Sequence, residues 1–232
     1  MGIFFTLRRD GAESLFKKFM LDMLDAIQPE EILLCSGYFQ ENKPYDDENG
    51  NKCYSSYQVT TDSDYNNLTI CDVLSNTQQI TLVGSKDDAQ GYWGESYTSF
   101  YHNLRNSLGV DRVKAYRDKL NHWHAKEMLM LSNHMVIAGI IGSSNLTRPA
   151  YGSNYPPTYN IEADTYIYSD VYDQSVRVLL NQVQDGVNSS SIIVASYSPS
   201  LNGGRDECAK LQEHYDHIMA QINNVDLFDE IV

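Results

Sequence analysis

Long apolar runs are missing from this chain. No stretch approaches the roughly 20 consecutive apolar residues that a membrane span requires, and residues 1–5 lack the charged-then-apolar layout of a secretory leader. No membrane association and a cytoplasmic setting are therefore expected. Cysteine is scarce: Cys35, Cys53, Cys71 and Cys208 are scattered, with no Cys-x-x-Cys pair. That spacing excludes a disulfide framework and a thiolate zinc site. Basic charge is also short, with 17 Lys and Arg against 31 Asp and Glu, a net −14. Such a surface repels polyanions over long range and lacks the general footprint of a nucleic-acid binder. There is no internal repeat and no low-complexity linker, so residues 1–232 are read as one domain.

The patterning that is present describes alternating helices and strands. Residues 13–27 place Leu15, Phe16, Phe19, Met20, Met23, Leu24 and Ile27 on one helical face. Residues 31–38 form a short apolar run ending at Ser-Gly, which reads as a buried strand with a turn behind it. Residues 41–69 are polar, rich in Asp, Asn and Tyr, and are read as an insertion or lid. Further strands are expected at 80–83, 113–116, 122–131, 135–141, 160–168 and 191–197. Helices are expected at 96–108, 171–183 and 206–223, the last at the C-terminus. The turn at 132–134 makes a hairpin of the strands on either side. The fold class is α/β: a mixed β-sheet sandwiched between helices.

Three elements carry chemistry together: His124-Ala-Lys126, then Gly142-Ser143-Ser144-Asn145, then Glu162. If 122–131 is a strand, His122, His124 and Lys126 share a face. The hairpin then returns the Gly-Ser-Ser-Asn turn beside them. An imidazole, an ammonium and a carboxamide converging on one point describe a phosphate site. Arg112, Lys114, Arg117 and Lys119 crowd the segment leading into Lys126. They form either a local basic patch, with Arg117 facing substrate, or a solvated strand edge.

These residues resemble the His-x-Lys…Gly-Ser-x-Asn signature of the phospholipase D-like superfamily, in its single-motif nuclease and restriction-endonuclease form. The resemblance implies His124 as a nucleophile that forms a phosphohistidine, Lys126 and Asn145 as clamps on the phosphoryl oxygens, and Ser143 as their support. It implies Glu162 as the group orienting the histidine, with no metal or other cofactor. His122 and Ser144 are expected to face substrate. With one His-x-Lys in the chain, the resemblance implies a homodimer in which the second chain's His124 protonates the leaving group. Two departures stand out: Leu131 occupies a position where the family often has aspartate, and the stretch from Lys126 to Gly142 is long. The Ser-Gly-Tyr-Phe at 36–39 also looks like the first strand of single-motif nucleases.

His122 and His124 could form a metal pair, but His102 and His134 stand at no recognisable ligand spacing. His214 and His217 are expected on the solvated side of the last helix, and Trp123 in the core. The expected function is a metal-independent phosphodiesterase, a nuclease acting on nucleic acid in restriction or phage defence. A separate DNA-binding or regulatory subunit would supply affinity for the polymer. The alternatives are a phospholipid or small-nucleotide phosphodiesterase and a catalytically inert scaffold.

Overall fold

The computed structural model describes residues 2–8, 14–84, 87–120, 123–152, 162–184 and 192–231. In chain order the elements are β1 (Gly2–Arg8), α1 (Leu15–Ile27), β2 (Glu31–Ser36), β3 (Pro44–Asp46), β4 (Lys52–Tyr54), α2 (Ile70–Val73), β5 (Gln79–Gly84) and α3 (Tyr92–Leu108). They continue with β6 (Val113–Asp118), β7 (Glu127–Ser132), β8 (Met135–Gly142), α4 (Arg148–Tyr151), β9 (Glu162–Tyr168), α5 (Asp173–Gln184), β10 (Ile192–Ala195), α6 (Glu207–Ile222) and β11 (Phe228–Ile231).

Among the described residues, nine strands form one sheet in the order β10-β1-β9-β8-β7-β2-β5-β6-β11. β2, β5 and β6 run parallel, and every other neighbouring pair is antiparallel. Strand alternation sorts the apolar side chains into two layers. From β2, Ile32 and Leu34 enter the larger core, with Phe4, Phe19, Met20, Leu24, Phe100 and Tyr166. Leu33 and Cys35 enter the smaller core on the opposite face, which Leu211, Ile218 and Ile222 of α6 complete. Burial on both faces explains why the β2 run is continuously apolar. The expected mixed sheet between helices is thus the observed architecture. No described helix is long and apolar enough to cross a membrane.

The hairpin joining β7 to β8 is also as expected. Asn133 and His134 both take positive φ, 50° and 63°, the backbone of a tight two-residue turn whose twist suits antiparallel strands. The 41–69 segment contains the β3–β4 hairpin and is fastened to the helices beside it. Lys17 of α1 forms an interior ion pair with Asp62, and Tyr57 donates to the same carboxylate at 2.6 Å. Tyr65 donates to Asp22 at 2.9 Å, and Asn103 of α3 donates to Glu41 at 2.7 Å.

Two expectations change. The strand expected at 122–131 begins only at Glu127. Its neighbour β2 ends opposite it, with Cys35 facing Glu127, and the chain then turns away, so no backbone remains on that side to pair with residues 123–126. Nor were β1 and β11 expected. β1 fills the space between β9 and β10, while β11 pairs with β6.

Candidate active site

The C-terminal ends of β2, β5, β6 and β8 and the N-terminal ends of β7 and β9 lie along one edge of the sheet, as their registers require. Among the expected site residues, Lys126, Ser143, Ser144, Asn145 and Glu162 stand along it. Lys126 and Gly142 are joined across β7 and β8, the Gly142 N–H donating to the Lys126 carbonyl at 3.0 Å. Gly142 in turn faces Asp164 in the β8–β9 register. Lys126, just before β7, Gly142 at the end of β8 and Asp164 of β9 therefore form a row.

The turn following Gly142 is held from below. The Ser143 hydroxyl donates to the carboxylate of Glu162 and accepts from the Ala163 N–H at 2.9 Å. The Ser143 N–H donates to the Ala163 carbonyl at 3.1 Å. Ser144 donates to Asp164 twice, from its N–H at 3.2 Å and its hydroxyl at 2.7 Å. Both serines thus spend their donors on the protein and shape the turn. Glu162 and Asp164 are both buried. Burial, foremost, pushes the Asp164 carboxyl up to about 6, against the opposing pull of the Ser144 hydrogen bonds.

Asn145 is aligned by the segment after β2. Its Oδ1 accepts from the Tyr38 N–H at 3.3 Å and lies 3.2 Å from the Ser36 hydroxyl, whose one hydrogen is shared with the Tyr38 carbonyl at 2.7 Å. Ser36 also accepts from the Leu146 N–H at 3.2 Å, and Phe39 bridges to Leu146 in parallel fashion. With the carbonyl oxygen so engaged, the carboxamide offers its NH₂ as the donor. Sequence reasoning noted Ser36 and Tyr38 only as part of a resemblance. Their function as a cradle depends on a contact more than 100 positions away in sequence.

The histidine half is built differently. His124 and Lys126 precede β7 in irregular chain, so strand alternation does not place them on one face. His124 is exposed and Lys126 half-buried, and the Lys126 ammonium donates to the His124 carbonyl at 2.9 Å. Glu162 accepts from Ser143 rather than from the His124 imidazole. His122 lies outside the described residues. Trp123 packs edge-on against Phe228 in the smaller core, with centroids 5.8 Å apart.

The basic segment is largely consumed by the fold. Arg112 donates to the carbonyls of Leu74, Ser75, Thr77 and Leu108. Arg117 donates to the Gly94 carbonyl at 2.9 Å and to the Thr98 hydroxyl at 3.0 Å. It braces the start of α3. Lys119 reaches the Val225 carbonyl and Asp229. His214 is likewise more than a solvated residue: its Nε2 meets Glu127 at 2.8 Å. Glu127, next to Lys126, is buried and its carboxyl is pushed up by desolvation, which the histidine opposes. A carboxylate inside the apolar 127–131 run was the available signal, because a buried acid needs a partner.

No family's sequence profile matches this chain, nor does any curated protein sequence. Solved structures similar to it include phosphatidylserine synthase from Haemophilus influenzae Rd KW20, at 12% identity and a TM-score of 0.42, covering 94% of this chain and 45% of that one. NucT from Helicobacter pylori is similar at 11% identity and a TM-score of 0.38, covering 78% of this chain and 96% of that one. Yeast tyrosyl-DNA phosphodiesterase is similar at 15% identity and a TM-score of 0.33, covering 71% and 31% respectively. The chain spans under half the length of the synthase and about a third of the yeast enzyme.

Proposed function

We propose that this chain is a phosphodiesterase of the phospholipase D-like kind, a nuclease that works through a phosphohistidine on His124. The observation that supports it most is the Asn145 carboxamide, oriented by Ser36 and Tyr38 at the sheet edge where Lys126 and Gly142 are joined. A donor fixed in advance beside a lysine is the arrangement that stabilises charge on a phosphoryl oxygen. In the proposed reaction a neutral His124 nitrogen attacks phosphorus and the bond to the leaving oxygen breaks. That oxygen takes a proton from the His124 of a second copy, a step typically worth ~10²–10⁴-fold. Water then releases the phosphoryl group from the histidine. The shared site makes the working unit a homodimer, the commonest symmetric assembly.

A nuclease is favoured by the match of His124-x-Lys126 and Gly142-Ser143-x-Asn145 to single-motif nucleases, which also suggests restriction or phage defence. Because Arg112, Arg117 and Lys119 are committed internally, affinity for a polymer would come from a second subunit. The same commitment, with the net charge of −14, favours as the second reading a phosphodiesterase acting on a small diester.

Single- and double-stranded DNA and RNA, incubated in excess EDTA with wild type and His124→Ala, test the proposal. Cleavage by the wild type alone is expected, with an acid-labile phosphoryl group trapped on the protein. Activity that EDTA abolishes and a divalent metal restores would sink the covalent mechanism. Turnover of a small diester with indifference to salt would favour the second reading, since binding to a polyanion weakens steeply with salt.

A further inference from the structure

Two carboxylates on one strand hold the two serines of the turn, and sequence reasoning expected only one of them, Glu162, at the site. Asp164 stands two positions further along β9, so both side chains leave the strand on the same face. Only 3% of Asp164 is exposed. Its Oδ1 takes the Ser144 N–H at 3.2 Å and its Oδ2 the Ser144 hydroxyl at 2.7 Å. The fit is tight: a Cβ at Gly142 would lie 2.0 Å from Asp164 Oδ1. Ser144 immediately precedes Asn145, so Asp164 grips the residue next to the one that carries the carboxamide.

We propose that Asp164 is a positioning residue: by accepting both donors of Ser144 as a carboxylate, it sets the turn that presents Asn145 to a phosphoryl oxygen. The inference takes its chemistry from the phosphodiesterase reading above, but its geometry is independent of it. A carboxylate accepts both bonds comfortably, whereas a carboxylic acid must turn one oxygen into a donor. The turn is therefore set in the ionised form and loosens as the pH falls through about 6. The groups facing Asp164 agree with that direction. Glu162 on its own strand adds negative charge. Arg8, opposite Glu162 on β1, offsets that charge; Thr6 opposite on β1, Gly142 opposite on β8 and Tyr166 alongside are neutral, and Lys126 beyond Gly142 is the cation at the end of the row.

The test uses the full chain as wild type, Asp164→Ala, Asp164→Asn and Ser144→Ala, each checked for folding by thermal melting. The readouts are kcat/KM on an aryl phosphodiester across pH, affinity for inorganic phosphate, and the NMR shifts of the Ser144 amide and the Asn145 carboxamide. Asp164→Ala should lower kcat/KM about 100-fold, the scale of loss for a misplaced site group, and weaken phosphate binding. Asp164→Asn should recover part of both. The Ser144 amide should titrate near pH 6 in wild type and in His124→Ala, and stay flat in Asp164→Asn. Wild-type kcat/KM and phosphate affinity in Asp164→Ala, or a Ser144 amide that does not titrate, overturns the proposal. If Asp164→Ala does not fold, Ser144→Ala decides. Losing a donor should raise the midpoint of the acid limb, and an unmoved midpoint counts against the clamp. If the wild type turns over no diester, the phosphodiesterase reading fails and the NMR shifts judge the clamp alone. Asn145 resonances that follow the Ser144 titration support it, and resonances indifferent to it overturn it.

Discussion

The two halves of the candidate site are built to different standards of rigidity. The turn half rests on three buried groups, Glu162 and Asp164 beneath the serines and Ser36 beside Asn145, with the half-buried Tyr38 next to it. The histidine half lies in irregular chain before β7, with His124 exposed and Lys126 turned back onto the His124 carbonyl. A site that stabilises transition-state charge gains from donors fixed in advance, so the turn half already has the form its chemistry needs. A nucleophile must reach its target and release it, and its final placement can come from substrate or from a second chain. If the proposed reaction holds, the difference assigns stabilisation of the oxyanion to the single chain and leaves placement of the nucleophile to substrate or to a second copy.

The largest expected effect is on the rigid half. Asn145→Ala removes one preorganised donor and should lower kcat by roughly 10²–10³-fold, with little change in thermal stability. Ser36→Ala leaves the carboxamide in place but removes one of the two groups that orient it, and should lose less. Steady-state kinetics on a small diester would rank the two. Equal losses would mean that Ser36 does more than orient, and no loss in either would remove the turn half from the chemistry.

A smaller effect, on stability, asks whether the rigid half is maintained at a cost. The Asp164 carboxyl is raised from 3.8 to about 6 in the fold. A raised acid contributes stability that is full below its unfolded pKa and lost as the pH rises through the folded one. The shift corresponds to about 3 kcal/mol lost between about pH 4 and neutrality. Asp164→Asn does not titrate, so its denaturation free energy should gain on the wild type as the pH rises through about 6. Parallel curves for the two proteins would show that the fold does not shift the Asp164 carboxyl.

The elements legible in the sequence were those whose signal is local. Residues 13–27 declared α1 by spacing alone, and the apolar runs of β2, β5 and β8 declared strands because both of their faces are buried. The Gly-Ser-Ser-Asn turn was legible because a glycine and short polar residues follow a strand. What escaped depends on partners distant in the chain. β1 is a strand because β9 and β10 flank it. β7 starts at Glu127 rather than at 122 because β2 stops opposite it. The cations of 112–119 looked like a binding patch, yet Arg112 caps carbonyls and Arg117 braces α3. A charge in a sequence does not say whether its partner is substrate or backbone. Asp164 escaped for a related reason: its task is visible only when Ser144 is seen above it.

Two glycines on β8 give the smallest and most local test of the same comparison. A Cβ at Gly142 would meet Asp164 Oδ1 at 2.0 Å and, in addition, backbone atoms of Ala163 and Asp164 at 2.7 Å. At Gly139, three positions earlier, the nearest atoms are the side-chain ends of Leu129 at 2.9 Å and Leu211 at 3.1 Å. Leucine ends can rotate aside, but the β9 backbone cannot without disturbing the row that joins Lys126, Gly142 and Asp164. Gly142→Ala should therefore destabilise by about 1–3 kcal/mol, and Gly139→Ala by less, as measured by chemical denaturation. The double variant Gly142→Ala/Asp164→Ala should recover only part of the loss, because the backbone contacts remain. Full recovery would place the whole constraint in the Asp164 side chain. Equal costs at Gly139 and Gly142 would mean that the turn half is no more tightly built than the rest of the strand, and the contrast between the two halves of the site would lose its physical basis.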